Sequence, residues 1–130
     1  MKISCPALGR EEVASEKNIA EIVAALDGCC DDGFAILERD DQHYMQIAWS
    51  EAGFDLEYQE GSLKQHYRAT MPLRAVDTVW ALRCYLQGRP DWQQRLHFER
   101  MAWAPERPKR GPVVPISWWQ VLKSLFFPPR

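Results

Sequence analysis

Between Phe34 and Thr70, four apolar-rich runs (34–39, 43–49, 54–59 and 64–70) follow one another with only turn residues between them. The connections are Asp40-Asp41, then Glu51-Ala52-Gly53, then Glu60-Gly61-Ser62. Links this short join only antiparallel neighbours, because a parallel pair needs a crossover of about a dozen residues or more. Tyr, Phe, Ile, Trp and Met recur inside the runs, and such side chains suit a half-buried pleat. The stretch predicts a four-stranded antiparallel meander, around which the rest of the chain must be fitted.

The alternation within each run assigns the faces. In the first, Phe34 and Ile36 alternate with Ala35 and Leu37, so both faces are apolar and cover is expected on both sides. The second places Met45, Ile47 and Trp49 on one face, and Tyr44, Gln46 and Ala48 on the other. In the third, Phe54, Leu56 and Tyr58 face in while Asp55, Glu57 and Gln59 face out. The fourth alternates Gln65, Tyr67 and Ala69 with His66, Arg68 and Thr70. The later strands thus have a polar second face carrying Asp55, Glu57, His66 and Arg68, which is either solvated or a binding surface.

Residues 1–14 contain Pro6 and Gly9 and have no clear period, so they read as a lead-in with room for a short edge strand. Ser15 is a natural N-cap, with Glu16 in the first turn where its charge opposes the helix dipole. Ile19, Ile22, Val23 and Leu26 then fall at i, i+3, i+4 and i+7, and Gly28 closes the helix. A main helix is expected over 73–86, with Ala75, Val76, Val79, Leu82 and Leu86 as its inner stripe and Trp80 at the edge. Gly88 and Pro90 stop it. Asp91 can cap a short turn over 92–96, and 97–103 reads as either a fifth strand or irregular chain.

Residues 104–115, Ala-Pro-Glu-Arg-Pro-Lys-Arg-Gly-Pro-Val-Val-Pro, exclude a helix and read as an extended linker. Beyond it, Trp118, Val121, Leu122, Leu125 and Phe126 fall at i, i+3, i+4, i+7 and i+8 behind Ser117. So short a helix is not stable alone and must dock. Three destinations are open: its own domain, another subunit or protein, or a membrane surface. The last is the weakest, since only Lys123 lies within the helix and surface binders carry more basic residues. The expected fold is a two-layer α+β domain over 1–103. An antiparallel sheet of four to five strands carries two main helices on one face, followed by the linker and the C-terminal amphipathic arm, 116–130.

At 130 residues with 46% apolar composition, the chain can bury a core of its own. No apolar run reaches the roughly 18 residues of a membrane helix. The start, Met1-Lys2-Ile3-Ser4-Cys5, lacks a signal-peptide core, so a cytoplasmic protein is expected. The four cysteines, at 5, 29, 30 and 84, form no C-x-x-C pair, and reduced thiols without a zinc or redox role fit them best. His43, His66 and His97 have no metal-ligand spacing, and neither a G-x-S-x-G nor a phosphate-binding glycine loop occurs. No cofactor and no metal are implied.

Charge is lopsided. Residues 1–61 hold four Lys/Arg against fourteen Asp/Glu, a balance of −10, while 62–130 hold twelve against four, a balance of +8. Such a split points to an acidic face for a basic partner, to halves that attract each other, or to solvated charge alone. Basic residues near tryptophans (Arg100, Arg107, Lys109, Arg110, Lys123 and Arg130) are ingredients for nucleic-acid binding. The acidic sheet and a pI near 5.9 argue against a broad phosphate-binding surface.

The phrases Gly33-Phe-Ala-Ile-Leu-Glu-Arg, His43-Tyr-Met-Gln, Leu56-Glu-Tyr-Gln-Glu-Gly and His66-Tyr-Arg-Ala precede an amphipathic helix ending at Tyr85-Leu86-Gln87-Gly88, and then Trp92. Together they resemble a group of small, mostly uncharacterised bacterial proteins, some thought to be immunity partners of secreted toxins. The resemblance covers about 33–95 and implies an α–β-meander–α fold before it implies any function.

The function expected from these features is a non-catalytic protein-binding module, immunity-like, that occludes a basic partner. Its candidate contact residues are Asp55, Glu57, Tyr58 and Glu60 on the sheet, with Trp118, Leu122, Leu125 and Phe126 on the arm. One alternative is a homo-oligomer assembled through the C-terminal Trp-rich helix. Another is a small enzyme using His66, Glu57 and Arg68 in one pocket.

Overall fold

A computed structural model describes residues 1–29 and 33–101. The elements are β1 (Lys2–Cys5), β2 (Arg10–Val13), α1 (Glu16–Leu26), β3 (Phe34–Asp40), β4 (His43–Ser50), β5 (Gly53–Glu60), β6 (His66–Ala69), α2 (Ala75–Leu86), α3 (Asp91–Arg95) and β7 (Phe98–Arg100). The strands form one antiparallel sheet in the order β2-β1-β3-β4-β5-β6-β7. The expected meander is its centre. The linker 104–115 and the helix expected over 116–130, with Trp118, Leu122, Leu125 and Phe126, lie outside the described residues.

Seven strands replace the expected four to five, and the difference is at the rims. The N-terminal lead-in is a hairpin: Pro6–Leu8 makes a single 3-10 turn, and Gly9 (φ 63°) returns the chain into β2. Positive φ suits glycine because it lacks a Cβ. β2 reads Arg-Glu-Glu-Val, with no apolar alternation to betray it. β1 lies inside the sheet, with Ser4 opposite Ile36 of β3. At the far rim, β7 adds three residues beside β6. The expected fourth strand is shorter than predicted, because Leu63–Gln65 forms a 3-10 turn before His66.

Ser15 caps α1 as expected. The Asn18 amide donates to Ser15 Oγ (3.1 Å) and the Ser15 amide to Asn18 Oδ1 (2.8 Å), a reciprocal capping box. Ile19, Ile22, Val23 and Leu26 are all fully buried. Of the stripe expected for α2, Leu82 is buried and Ala75, Val79 and Leu86 pack against the core, whereas Val76 is 64% exposed; the buried line is Thr78, Ala81, Leu82, Cys84 and Tyr85. The spacing is the same, but two polar-tipped residues hide it. Thr78 fits because its hydroxyl donates to the Arg74 carbonyl (2.9 Å). Arg83 of α2 donates to the Glu16 carbonyl (2.9 Å) and ties the helices together.

Both long helices bury their apolar residues in one core with Ile3, Leu37, Met45, Ile47, Phe54 and Leu56 of the sheet. Gly53 marks the corner of that core. The Phe54 and Leu73 amides each donate to the other's carbonyl at 2.8 Å. A Cβ on Gly53, at φ 127°, would stand 2.8 Å from the Leu73 carbonyl oxygen.

Candidate functional site

Helix-side positions alternate with positions on the opposite face of the sheet. The pairing Ser4–Ile36–Gln46–Glu57–Arg68–Glu99 runs as one row across six strands. Beside it runs Lys2–Glu38–Tyr44–Gln59–His66, and on the other flank Phe34–Ala48–Asp55. This second face therefore has an apolar part on β3 and β4 and a polar part on β5 and β6.

The apolar part is Phe34, Ile36 and Tyr44, each 2% exposed, with Ala48 packed against them. Every buried apolar side chain of the described helices belongs instead to the core on the other face. The double cover anticipated from the apolar alternation of β3 is thus a property of these side chains.

The polar part is a connected network. His66, fully buried, places Nε2 3.0 Å from Glu57 Oε1 and Nδ1 3.3 Å from Gln59 Oε1. The Tyr44 hydroxyl donates to Gln59 Oε1 (3.0 Å), and Gln59 Nε2 donates to Gln42 Oε1 (2.9 Å). The Gln42 contact orients the Gln59 amide, leaving its oxygen as the acceptor for Tyr44 and turned toward His66 Nδ1. Arg68 pairs with Asp55 (3.4 Å) at the exposed margin. Gln46 Oε1, at the centre of the face, is buried and has no partner among the described residues.

The structure divides the sheet residues proposed from sequence. Asp55 and Glu57 share the second face. Tyr58 points into the helix-side core, stacked on Tyr67 (centroids 5.0 Å) and edge-on to Trp92 (4.7 Å) and Phe98 (4.8 Å). Burial raises its hydroxyl pKa. Glu60 also lies on the helix side, lining a cleft of about 120 Å³ with Arg39, Tyr85, Arg89 and Trp92. Arg39 sits 5.2 Å over the Tyr85 ring, and burial pushes the Tyr85 hydroxyl up to about 12. That cleft is smaller than the roughly 300 Å³ at which small-molecule sites begin. Phe34, Ile36, Tyr44, Gln46 and Gln59 were not singled out as site residues from sequence. The doubly apolar β3 pointed toward Phe34 and Ile36, and the alternation of the next two strands placed Tyr44, Gln46 and Gln59 on the same face without marking them as site residues.

His66, Glu57 and Arg68 do share a face, as the enzymatic alternative requires. Both ring nitrogens of His66 are engaged within the network, Nε2 with Glu57 and Nδ1 with Gln59. His43 is held at the β3–β4 turn by Asp40 (2.9 Å), a contact that keeps the Asp40 carboxyl below its usual range. Among the described residues, no three His, Cys, Asp or Glu side chains are grouped to hold a metal, and no helix is long and apolar enough to cross a membrane. Cys5 and Cys84 are buried free thiols whose pKa burial raises, and Cys29 is free and exposed. Raised pKa and burial both reduce thiol reactivity. No protein-family model, curated protein or solved structure matches the chain.

Proposed function

We propose that this chain is a non-catalytic protein-binding module, immunity-like in occluding a basic partner segment. The observation that carries the reading is the second face, where Asp55 and Glu57 border the apolar patch of Phe34, Ile36, Tyr44 and Ala48. A partner of matching chemistry is a basic polypeptide with large apolar side chains. Its charges would speed encounter and set register, and its apolar groups would supply most of the affinity. The charge balance of −10 over residues 1–61 favours the same sign of partner.

The test is binding to the protein encoded beside this one, followed by stopped-flow at low and high salt. Asp55→Lys should slow association by about tenfold at low salt, with the difference shrinking as salt rises. Association that is unchanged by this substitution at every salt concentration removes the acidic face from the reading.

A further inference from the structure

The apolar half of the second face is as dry as the core beneath the helices, yet among the described residues its cluster draws on β3 and β4 alone. Phe34, Ile36 and Tyr44 on an open sheet surface would each show a substantial fraction of their area to water, and they show 2%. Something lies over them. We propose that the cover is this chain's own C-terminal segment, 116–127, docked in cis across β3, β4 and β5. The inference stands on the face itself and does not require a foreign partner.

Reach permits it. The described chain ends at the β7 rim, where the Met101 amide donates to the His66 carbonyl (2.9 Å). From β7 to β3 is four strand spacings, ~19 Å. Residues 104–115, extended as a proline-rich chain at ~3.1 Å per residue, span ~37 Å. The linker can therefore round the rim and still deliver its far end above β3.

Chemistry matches as well. The stripe Trp118, Val121, Leu122, Leu125 and Phe126 is apolar and aromatic, like the patch. Residues 104–130 carry five Lys/Arg against the single Glu106, opposite in sign to Asp55 and Glu57. Gln46 Oε1, a buried acceptor without a partner among the described residues, calls for a donor. Indole N–H groups, present at Trp118 and Trp119, are donors only. An apolar, aromatic segment with Lys123 within it and Arg107, Lys109 and Arg110 in the linker before it is thus encoded in the chain itself. A foreign partner would bind by displacing it.

The experiment uses the full chain carrying a photoreactive residue at one of two places, Ala48→p-benzoylphenylalanine or Val76→p-benzoylphenylalanine. Ala48 is half-buried on the second face, and Val76 is exposed beside the groove that Val79, Trp80 and Arg83 line on α2. After irradiation, peptide mapping should show residue 48 joined to 116–127 of the same chain, and residue 76 not joined to it. Leu122→Asp/Phe126→Asp should abolish the product at 48. A product between two chains gives the face to a second copy and overturns the proposal. So does a product at 76, or no product with 116–127 at 48. Because the isolated chain is used, failure here is separate from failure of partner binding, which the association measurement reads.

Discussion

The two faces of this sheet are differently made: each has a dry centre, and the second runs out to an exposed Asp55–Arg68 margin. Beneath the helices, Ile3, Leu37, Ile47, Leu56, Leu82 and their neighbours form an apolar core whose members are held by volume and area. On the other face a small apolar cluster runs into Tyr44, Gln59, His66 and Glu57, which are held by directed hydrogen bonds. Volume tolerates exchange among residues of similar size, whereas a buried network tolerates only partners that keep every member satisfied. The helix face therefore answers for the stability of the fold. The second face answers for the fit of whatever lies on it.

Substitutions can break or sharpen that contrast. The largest loss is expected from Leu56→Ala on the helix face, about 2–5 kcal/mol by chemical denaturation. His66→Phe comes next, at about 2–3 kcal/mol, since it keeps apolar volume but strips the Glu57 carboxylate of its donor in a site where Glu57 is 12% exposed. Adding Glu57→Leu to His66→Phe should recover part of that loss, because the carboxylate that lost its partner is then gone as well. If His66→Phe costs nothing, the two faces obey one rule and the distinction falls.

A smaller effect, of opposite sign, is expected at Tyr85, whose buried hydroxyl has no partner among the described residues. Tyr85→Phe should raise stability by about 1 kcal/mol at neutral pH. Its folded-state pKa of about 12 stands above the ordinary 10.0, so the neutral hydroxyl is favoured by folding. That contribution is intact below pH 10 and is lost as pH rises through 12. Thermal melts across this window should show the parent protein losing stability that Tyr85→Phe retains. The smallest effect is expected at the margin of the second face, where Asp55 and Arg68 are 31% and 42% exposed. A double-mutant cycle there should give less than about 1 kcal/mol.

The faces of the central strands could be read from sequence because a strand's period is two and its turns are short. The α1 stripe was equally plain, four aliphatic residues at helical spacing behind a capping serine. α2 was legible in part: Leu82, Ala75, Val79 and Leu86 lie in or against the core as expected, Val76 does not, and Thr78 and Tyr85 belong to the buried line under polar atoms that disguise them. The N-terminal hairpin was hidden because Arg10, Glu11 and Glu12 make a rim strand held by charge. Arg10 pairs with Glu12 and, at 3.2 Å, with Glu21 of α1. The same period of two that placed Asp55 and Glu57 outward places Tyr58 and Glu60 inward, so those four never formed one surface. That His66 and Glu57 share a face was readable from the alternation, but their hydrogen bond was not, because it depends on a register set by the turn at Leu63–Gln65.

The rims of the sheet decide one more matter. Many polypeptide-binding domains capture a partner by letting it join as an additional strand, which needs a long edge with free backbone groups. Among the described residues one rim is β2, four residues carrying Arg10, Glu11 and Glu12, and the other is β7, three residues including Glu99 and Arg100. Short, charged rims discourage such templating. Recognition by backbone annealing, and the open-ended fibre growth that the same geometry invites, are both disfavoured at these borders. A guest polypeptide is thereby directed to side-chain contacts across the broad side of the sheet.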